Sequence, residues 1–304
     1  MLQTRRGEQR ALAFNRRMEP DYQKYREIVD KAKDLPTLSS IVHRLNEMIR
    51  NPNTSAADIG HLIAQDVALA GTTLKLVNSA FYGLSQKVNS VTHAIVILGF
   101  KKVKNIALAA SILNAFKTPS QTGFDYSGFW EHSIGTATAS EILATALKSP
   151  YTDEAFISGL LHDQGKLILV QYFPDEFQKI RGLITGERLT MQEAEQRVLG
   201  FDHSLIGTWL AEKWKFPERL TLAIRMHHKP LMASQHSELI HLVHTADILC
   251  RALDIGNGGD PYICELNQQV WTQMNLSSQR LDELLGKIMD SMKNVSEFLD
   301  LVRQ

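Results

Sequence analysis

Apolar positions along this chain recur at spacings of three and four, with polar residues between them, and punctuation marks where each run begins. Ser55 followed by Asp58 predicts a capped helix carrying Ile59, Leu62, Ile63, Val67 and Leu69 broadly on one face. Thr152 with Asp153 and Glu154 opens another, and Thr190 with Glu193 forms a capping box for a third. Pro217 suits the first turn of "PERLTLAIRMHH", and Ser278 precedes Leu281, Leu284, Leu285 and Ile288 at amphipathic spacing. Leu74, Val77 and Phe81 share a helical stripe that core packing alone explains. Two runs, "AIVILGF" (94–100) and "LILVQYF" (167–173), have the β-branched look of buried strands. Neither is flanked by partner strands with turn signals, so both are assigned to helix. The expected fold class is all-α.

Breaks in the pattern divide the chain. Residues 1–34 form a polar lead-in expected to be one helix lying on the rest, 35–115 a first helical lobe, 116–255 a second helical bundle, and 256–304 a helical extension. The segment "NAFKTPSQTGFDYSG" (114–128) is the expected join between lobes, and "LDIGNGGDPYIC" (253–264) reads as a flexible connection. The glycines of that second segment lack the strand-to-helix context of a phosphate cradle.

Composition narrows the function without choosing it. The chain has 304 residues, 44% of them hydrophobic, and 33 basic against 33 acidic side chains. A neutral total offers no field to gather a nucleic-acid backbone, and no aromatic-basic interleaving is present, so nucleic acid is not an expected partner. The run Lys101-Lys102-Val103-Lys104 reads as a solvated helix face. Cys250 and Cys264 are too few for a disulfide framework and suit a reducing cytoplasm. The start "MLQTRRGEQRALAF" is followed by polar residues instead of the apolar middle of a signal peptide, and no uncharged run approaches a membrane helix. A cytoplasmic protein without membrane contact is expected.

Histidines of the second half carry the chemistry. His132 lies in "WEHSIGTATASEIL", a helix dense in small residues that lets neighbours approach. His162 and Asp163 end the helix that begins at Thr152, His203 follows in "GFDHSLIGTWL", His227 and His228 close a helix, and His244 and Asp247 share a face in "HTADIL". Taken singly, each histidine is as well explained by a hydrogen-bonded core imidazole, or by a cation at a helix C-terminus. Taken together, several imidazoles and one or two carboxylates converging inside a bundle make a site for a divalent transition metal.

The order His132, His162-Asp163, His203, His227-His228, Asp247 resembles the HD superfamily of metal-dependent phosphohydrolases, with "HDQGK" where those proteins read HD, a variable residue, GK. The first half adds "LPTLSSIVHRLNEMI", "IAQDVALAGTTLKLVNSAFYG" and "VTHAIVILGFKKVKNIAL", which are similar to the HDOD domain, a bacterial signalling relative of HD proteins; "NSAFYG" and the spacing AI-x-x-LG at 94–99 are the most telling. The likeness covers about residues 35–250. It implies two packed helical lobes, the second an HD-like bundle. It implies His132, His162, Asp163 and Asp247 as ligands of one ion, and His203, His227 and His228 as ligands of a second, with Asp163 able to bridge. The ions would be Fe, Mn, Ni or Zn, and Lys166 would reach towards a substrate phosphate or else stand in solvent. No GYP motif follows "MHHKP", so the chain departs from the branch that hydrolyses cyclic-di-GMP. Gly128, not an acid, stands four residues before His132, which removes the ligand a third ion would use.

Two functions follow from the resemblance. In the first, the protein is a regulator that binds a signalling protein or a small phosphorylated ligand, with NSAFYG as a partner surface or a lobe-packing surface. In the second, Asp163 and Lys166 serve catalysis in a phosphomonoesterase or phosphodiesterase acting on a nucleotide-like substrate. The retained ligand order favours hydrolysis; the thin supply of phosphate donors, Lys166 with Arg225 and Lys229, favours regulation.

Overall fold

The computed structural model describes residues 20–32, 35–36, 41, 44–45, 48, 54–116 and 123–303. Most of the lead-in, more than half of "LPTLSSIVHRLNEMI" and linker residues 117–122 therefore lie outside the described residues. Every regular element among the described residues is helical, and both strand-like runs are helix. The first spans the end of α4 (Val91–Leu98) and the start of α5 (Phe100–Ala115), which Gly99 separates at φ 82°. The second lies in α8 (Gln164–Tyr172) up to Tyr172, with Phe173 at its C-terminal cap.

Local chemistry sets the starts. Ser55 and Thr190 each complete a reciprocal capping box, with Asp58 and Glu193, at the heads of α2 (Ala56–Ala64) and α10 (Met191–Leu199). The cap of α15 (Ser278–Met292) is Ser277, whose hydroxyl oxygen accepts from the amide of Arg280. Pro217 sits at the cap position of α12 (Glu218–Met226) instead of inside its first turn.

In the first lobe α3 (Val67–Val77) packs on α5, and α2 on α4. In the second, α6 (Tyr126–Ala146) is the axis, flanked by α7 (Thr152–Leu161), α13 (Ser237–Ala252) and α15. Between the lobes α5 lies against α7, and one apolar core runs through both. The basic run at 101–104, expected to be a solvated face, stays solvated only at Lys101 and turns into a seam from Lys102 onward. Lys101 pairs with Asp153 of α7 at 2.8 Å, Lys102 pairs with Glu141 of α6, and Val103 and Lys104 are buried.

The first and last helices among the described residues pack back onto the lobes. The lead-in helix α1 (Pro20–Lys31) sets Tyr22 and Tyr25 edge-on against Phe201, Trp209 and Phe173. At the other end α16 (Val295–Arg303) returns to the first lobe, where Phe298 meets Phe81 at 5.0 Å between ring centroids and Asn294 donates to the carbonyl of Ala80. NSAFYG is thus a packing surface for the chain's own C-terminal helix. Its Asn78 also braces the following loop, donating to the carbonyl of Val88 and accepting from the Val88 amide, both at 2.7 Å.

Small residues set helix spacing in the second lobe. A Cβ on Gly159 of α7 would come within 2.7 Å of Ala137 Cα in α6. A Cβ on Gly165 of α8 would collide with the carbonyl oxygen of His203 and lie 2.7 Å from the Gly207 amide nitrogen, both in α11 (His203–Lys213). Gly256, at φ 64°, would strike the backbone of α6 at Gly128 and His132.

Candidate metal centre

Five segments of the second lobe deliver the predicted ligands to one point. His132 projects from the middle of α6, His162 and Asp163 occupy the break between α7 and α8, His203 opens α11, His227 and His228 follow α12, and Asp247 comes from α13. All but the partly exposed His228 are buried. At Asp163 the backbone leaves helical geometry (φ −101°, ψ 1°), so adjacent side chains both turn inward.

Each imidazole is aimed by what its other nitrogen touches. His162 Nδ1 lies 2.7 Å from the carbonyl of Gly159, His227 Nδ1 2.7 Å from that of Ile224, and His203 Nδ1 2.6 Å from Glu195 Oε2. A proton held on Nδ1 by such an acceptor leaves Nε2 with its lone pair, the arrangement of metal-bound histidine. Nε2 of His132, His162 and His227 and Oδ1 of Asp163 are buried without a hydrogen-bond partner. Orphaned buried acceptors are rare unless something that donates or coordinates belongs among them. His244, expected on the face of Asp247, supports from behind: its Nδ1 holds the carbonyl of His227 at 2.7 Å.

Spacing fits two ions sharing one carboxylate. Asp163 Oδ2 is 3.3 Å from His162 Nε2 and 3.7 Å from His132 Nε2; Asp163 Oδ1 is 3.0 Å from His203 Nε2 and 3.8 Å from His227 Nε2. Neighbouring ligands on an ion with bonds of about 2.1 Å stand roughly 3–3.4 Å apart, so only small contraction is needed. His132, His162 and Asp163 form one candidate group, and Asp163, His203, His227 and His228 the other. Asp247 Oδ1 adds to the first at 3.1 Å from His132 Nε2. The donor set is imidazole and carboxylate without thiolate, which suits Fe, Mn, Ni or Zn.

Two cations sit among these acids. Lys166 is fully buried, not in solvent, with Nζ 2.6 Å from Asp163 Oδ2 and 2.6 Å from the carbonyl of Gly258. Arg251, which sequence reasoning passed over, places Nε 2.9 Å from Asp247 Oδ1 and Nη2 3.2 Å from the same Gly258 carbonyl, and reaches Asp260 and the carbonyl of Tyr262. The segment 253–264, expected to be a flexible connection, is thus a wall of the site. Glu195 was also missed; it lies on another helix, eight residues before His203.

Electrostatics follow from burial and these partners. Burial alone would lower the pKa of His162, but Asp163 and Asp247 outweigh it and raise it to about 9; Glu195 and Asp163 do the same for His203, also to about 9. Burial opposes charge on Asp163 and Asp247 too, yet His162 and Lys166 hold the first, and Arg251 the second, well below the carboxylate range. His227 is pushed down to about 3 by burial beside His162 and His203. Protons on His162 and His203 thus occupy the positions an ion would take, and metal binding must expel them.

A cleft of about 760 Å³ opens beside the first group and reaches His132 and Arg251. Its walls carry Asp125, Glu131, Asp254 and Asp260 against Arg181 and Arg251. The expected phosphate donors Arg225 and Lys229 turn instead to Ser204 at 3.1 Å and Asp202 at 3.7 Å.

Residues 35–230 match the HDOD domain family. A Treponema pallidum protein of uncharacterized function is 28% identical over 237 residues, covering 77% of this chain but 45% of its own length, so the chain spans less than half of that relative. Among solved structures, an HDOD domain protein of unknown function from Geobacter sulfurreducens superposes with TM-score 0.79 at 24% identity, covering 90% of this chain and 96% of its own. A Marinobacter aquaeolei protein provisionally named for signal transduction gives 0.77 at 25% identity, covering 95% of this chain and 62% of its own. A Shewanella amazonensis protein provisionally named a phosphohydrolase gives 0.70 at 24% identity, covering 90% of this chain and 97% of its own.

Proposed function

Because this chain belongs to the HDOD domain family, we propose that it is a signal-transduction regulator whose second lobe holds one or two divalent transition-metal ions. The observation that carries this reading is the set of buried Nε2 atoms of His132, His162 and His227, left without partners around the unshared oxygen of Asp163. His132, His162, Asp163 and Asp247 would hold one ion, and Asp163, His203, His227 and His228 the other. The cytoplasm is the compartment that two free cysteines suit, and no described helix is long and apolar enough to cross a membrane.

Regulation is favoured over hydrolysis by what surrounds the ligands. All the ligands but His228 are buried, the carboxylates are already engaged by Lys166 and Arg251, and the adjoining cleft has four acids to two arginines. Such a cleft repels a phosphoester, so a signalling protein is the partner we favour over a small phosphorylated ligand. One observation supports the second reading, a metal-dependent phosphohydrolase: Asp163 offers an oxygen to each group, with Lys166 beside it. Two ions so bridged would supply an acidified water; Lys166 would steady Asp163 and, once freed from Gly258, meet a phosphate oxygen.

Elemental analysis of the purified protein beside its His162→Ala and Asp163→Ala forms tests the centre, and a phosphoester panel under Mn, Fe or Ni tests the choice. Metal in the native protein, lost in both variants, with no turnover, supports the regulator. Turnover abolished in both supports the enzyme, and a native protein that takes up no metal sinks both.

A further inference from the structure

Resting on the two-ion reading above, we infer that the two positions fill in order, and that filling the second unfastens the loop 256–262. The halves of the centre differ in what their oxygens already hold. On the His203 side, Asp163 Oδ1 is held by no lysine or arginine and faces the imidazoles of His203 and His227 at 3.0 and 3.8 Å. On the His132 side, both carboxylate oxygens are taken: Asp163 Oδ2 by Lys166 at 2.6 Å, and Asp247 Oδ1 by Arg251 at 2.9 Å. An ion arriving there meets two buried positive charges within a few ångströms, and the repulsion in a poorly screened interior is severe. It must push them aside.

Those same cations fasten the loop. The carbonyl of Gly258 accepts from Lys166 at 2.6 Å and from Arg251 at 3.2 Å, and Arg251 also reaches Asp260 and the Tyr262 carbonyl. Asp260 in turn accepts from the amide of Met191, tying the loop to the head of α10. This loop is a wall of the cleft beside His132. Displacing Lys166 and Arg251 therefore alters the cleft. The His203-side ion is structural in this scheme, and the His132-side ion is the signal.

The full chain, freed of metal and titrated with Mn(II), tests the order, with calorimetry reading affinity and hydrogen exchange reading the loop. Two steps are expected, the second weaker by about tenfold or more, with amide protection at 256–262 falling only as the second equivalent binds. Arg251→Met is expected to tighten the second step at least about tenfold and leave the first unchanged. Gly258→Ala, whose Cβ would press on the Arg251 guanidinium, should act in the same direction without removing a charge, and the exchange experiment needs no variant. Two equivalents binding in one step with a silent loop would overturn the inference. So would a second step weakened about 10- to 100-fold by Arg251→Met, the mark of a residue that orients Asp247. In both cases metal still binds and the two-ion reading stands; no Mn(II) uptake by any form removes that reading as well.

Discussion

The two lobes bury very different things. Among the described residues, the first lobe encloses aliphatic side chains from α2 to α5 and buries no histidine and no carboxylate. The second buries His132, His162, His203, His227, His241 and His244 with Asp163, Glu195, Asp202 and Asp247. A core such as the first is explained by removal of apolar surface from water. A core such as the second costs desolvation at every charged group, and its geometry is kept for something other than stability. Similar helices, joined by one continuous core, thus serve as scaffold on one side and as site on the other.

That contrast can be broken at its strongest point. Asp163→Ala removes the acid that balances His162, Lys166 and His203, and should destabilise the chelated protein by about 3–5 kcal/mol in urea unfolding while abolishing metal uptake. Ile112→Ala, a fully buried residue of α5, should cost about 3 kcal/mol by the same measurement and leave metal stoichiometry untouched. If Ile112→Ala also lost metal, scaffold and site would not be separable.

The dependence on pH sharpens the comparison. His162 and His203 keep protons up to about 9 in the folded state, so the stability they contribute is complete below about 6.5, their ordinary value, and drains as pH rises towards 9. His227, depressed to about 3, contributes stability above about 6.5 that is lost as pH falls. Lowered Asp163 and Asp247 add to the acid-side loss. Metal-free protein should therefore be most stable near pH 6.5, with flanks of about 1.4 kcal/mol per pH unit for each proton exchanged. Thermal melts in chelator across pH 4–9 would show it, and Ile112→Ala should shift the curve down without moving its maximum. The smallest effect joins the lobes: Ser55→Ala and Thr190→Ala remove equivalent capping boxes and should each cost about 1 kcal/mol, alike with and without metal.

Helix content was legible because caps and spacing are local; the two β-branched runs were assigned to helix only because no partner strands with turn signals flank them. The ligands were legible only by resemblance and order, since any one of the histidines alone fits an ordinary core. What escaped was partnership across the chain. Arg251 stands four residues after Asp247 on one helix, a spacing that could have flagged it. Glu195 reaches His203 from another helix, and Gly258 is recruited through a carbonyl, which no side-chain pattern displays. Lys166 looked equally like a solvent residue because its burial depends on a loop ninety-two positions away. The glycines of that loop were judged as freedom, yet Gly256 is held hard against α6.

Gly165 bears no ligand atom, yet it fixes the distance at which α8 passes under the start of α11, and with it the separation of Asp163 from His203. One methyl group there would act as a shim, lifting one helix off the other. A descendant carrying alanine at that position could keep every imidazole and acid in its sequence and still be deaf to metal. Counting preserved ligands would then overstate what such a chain can do.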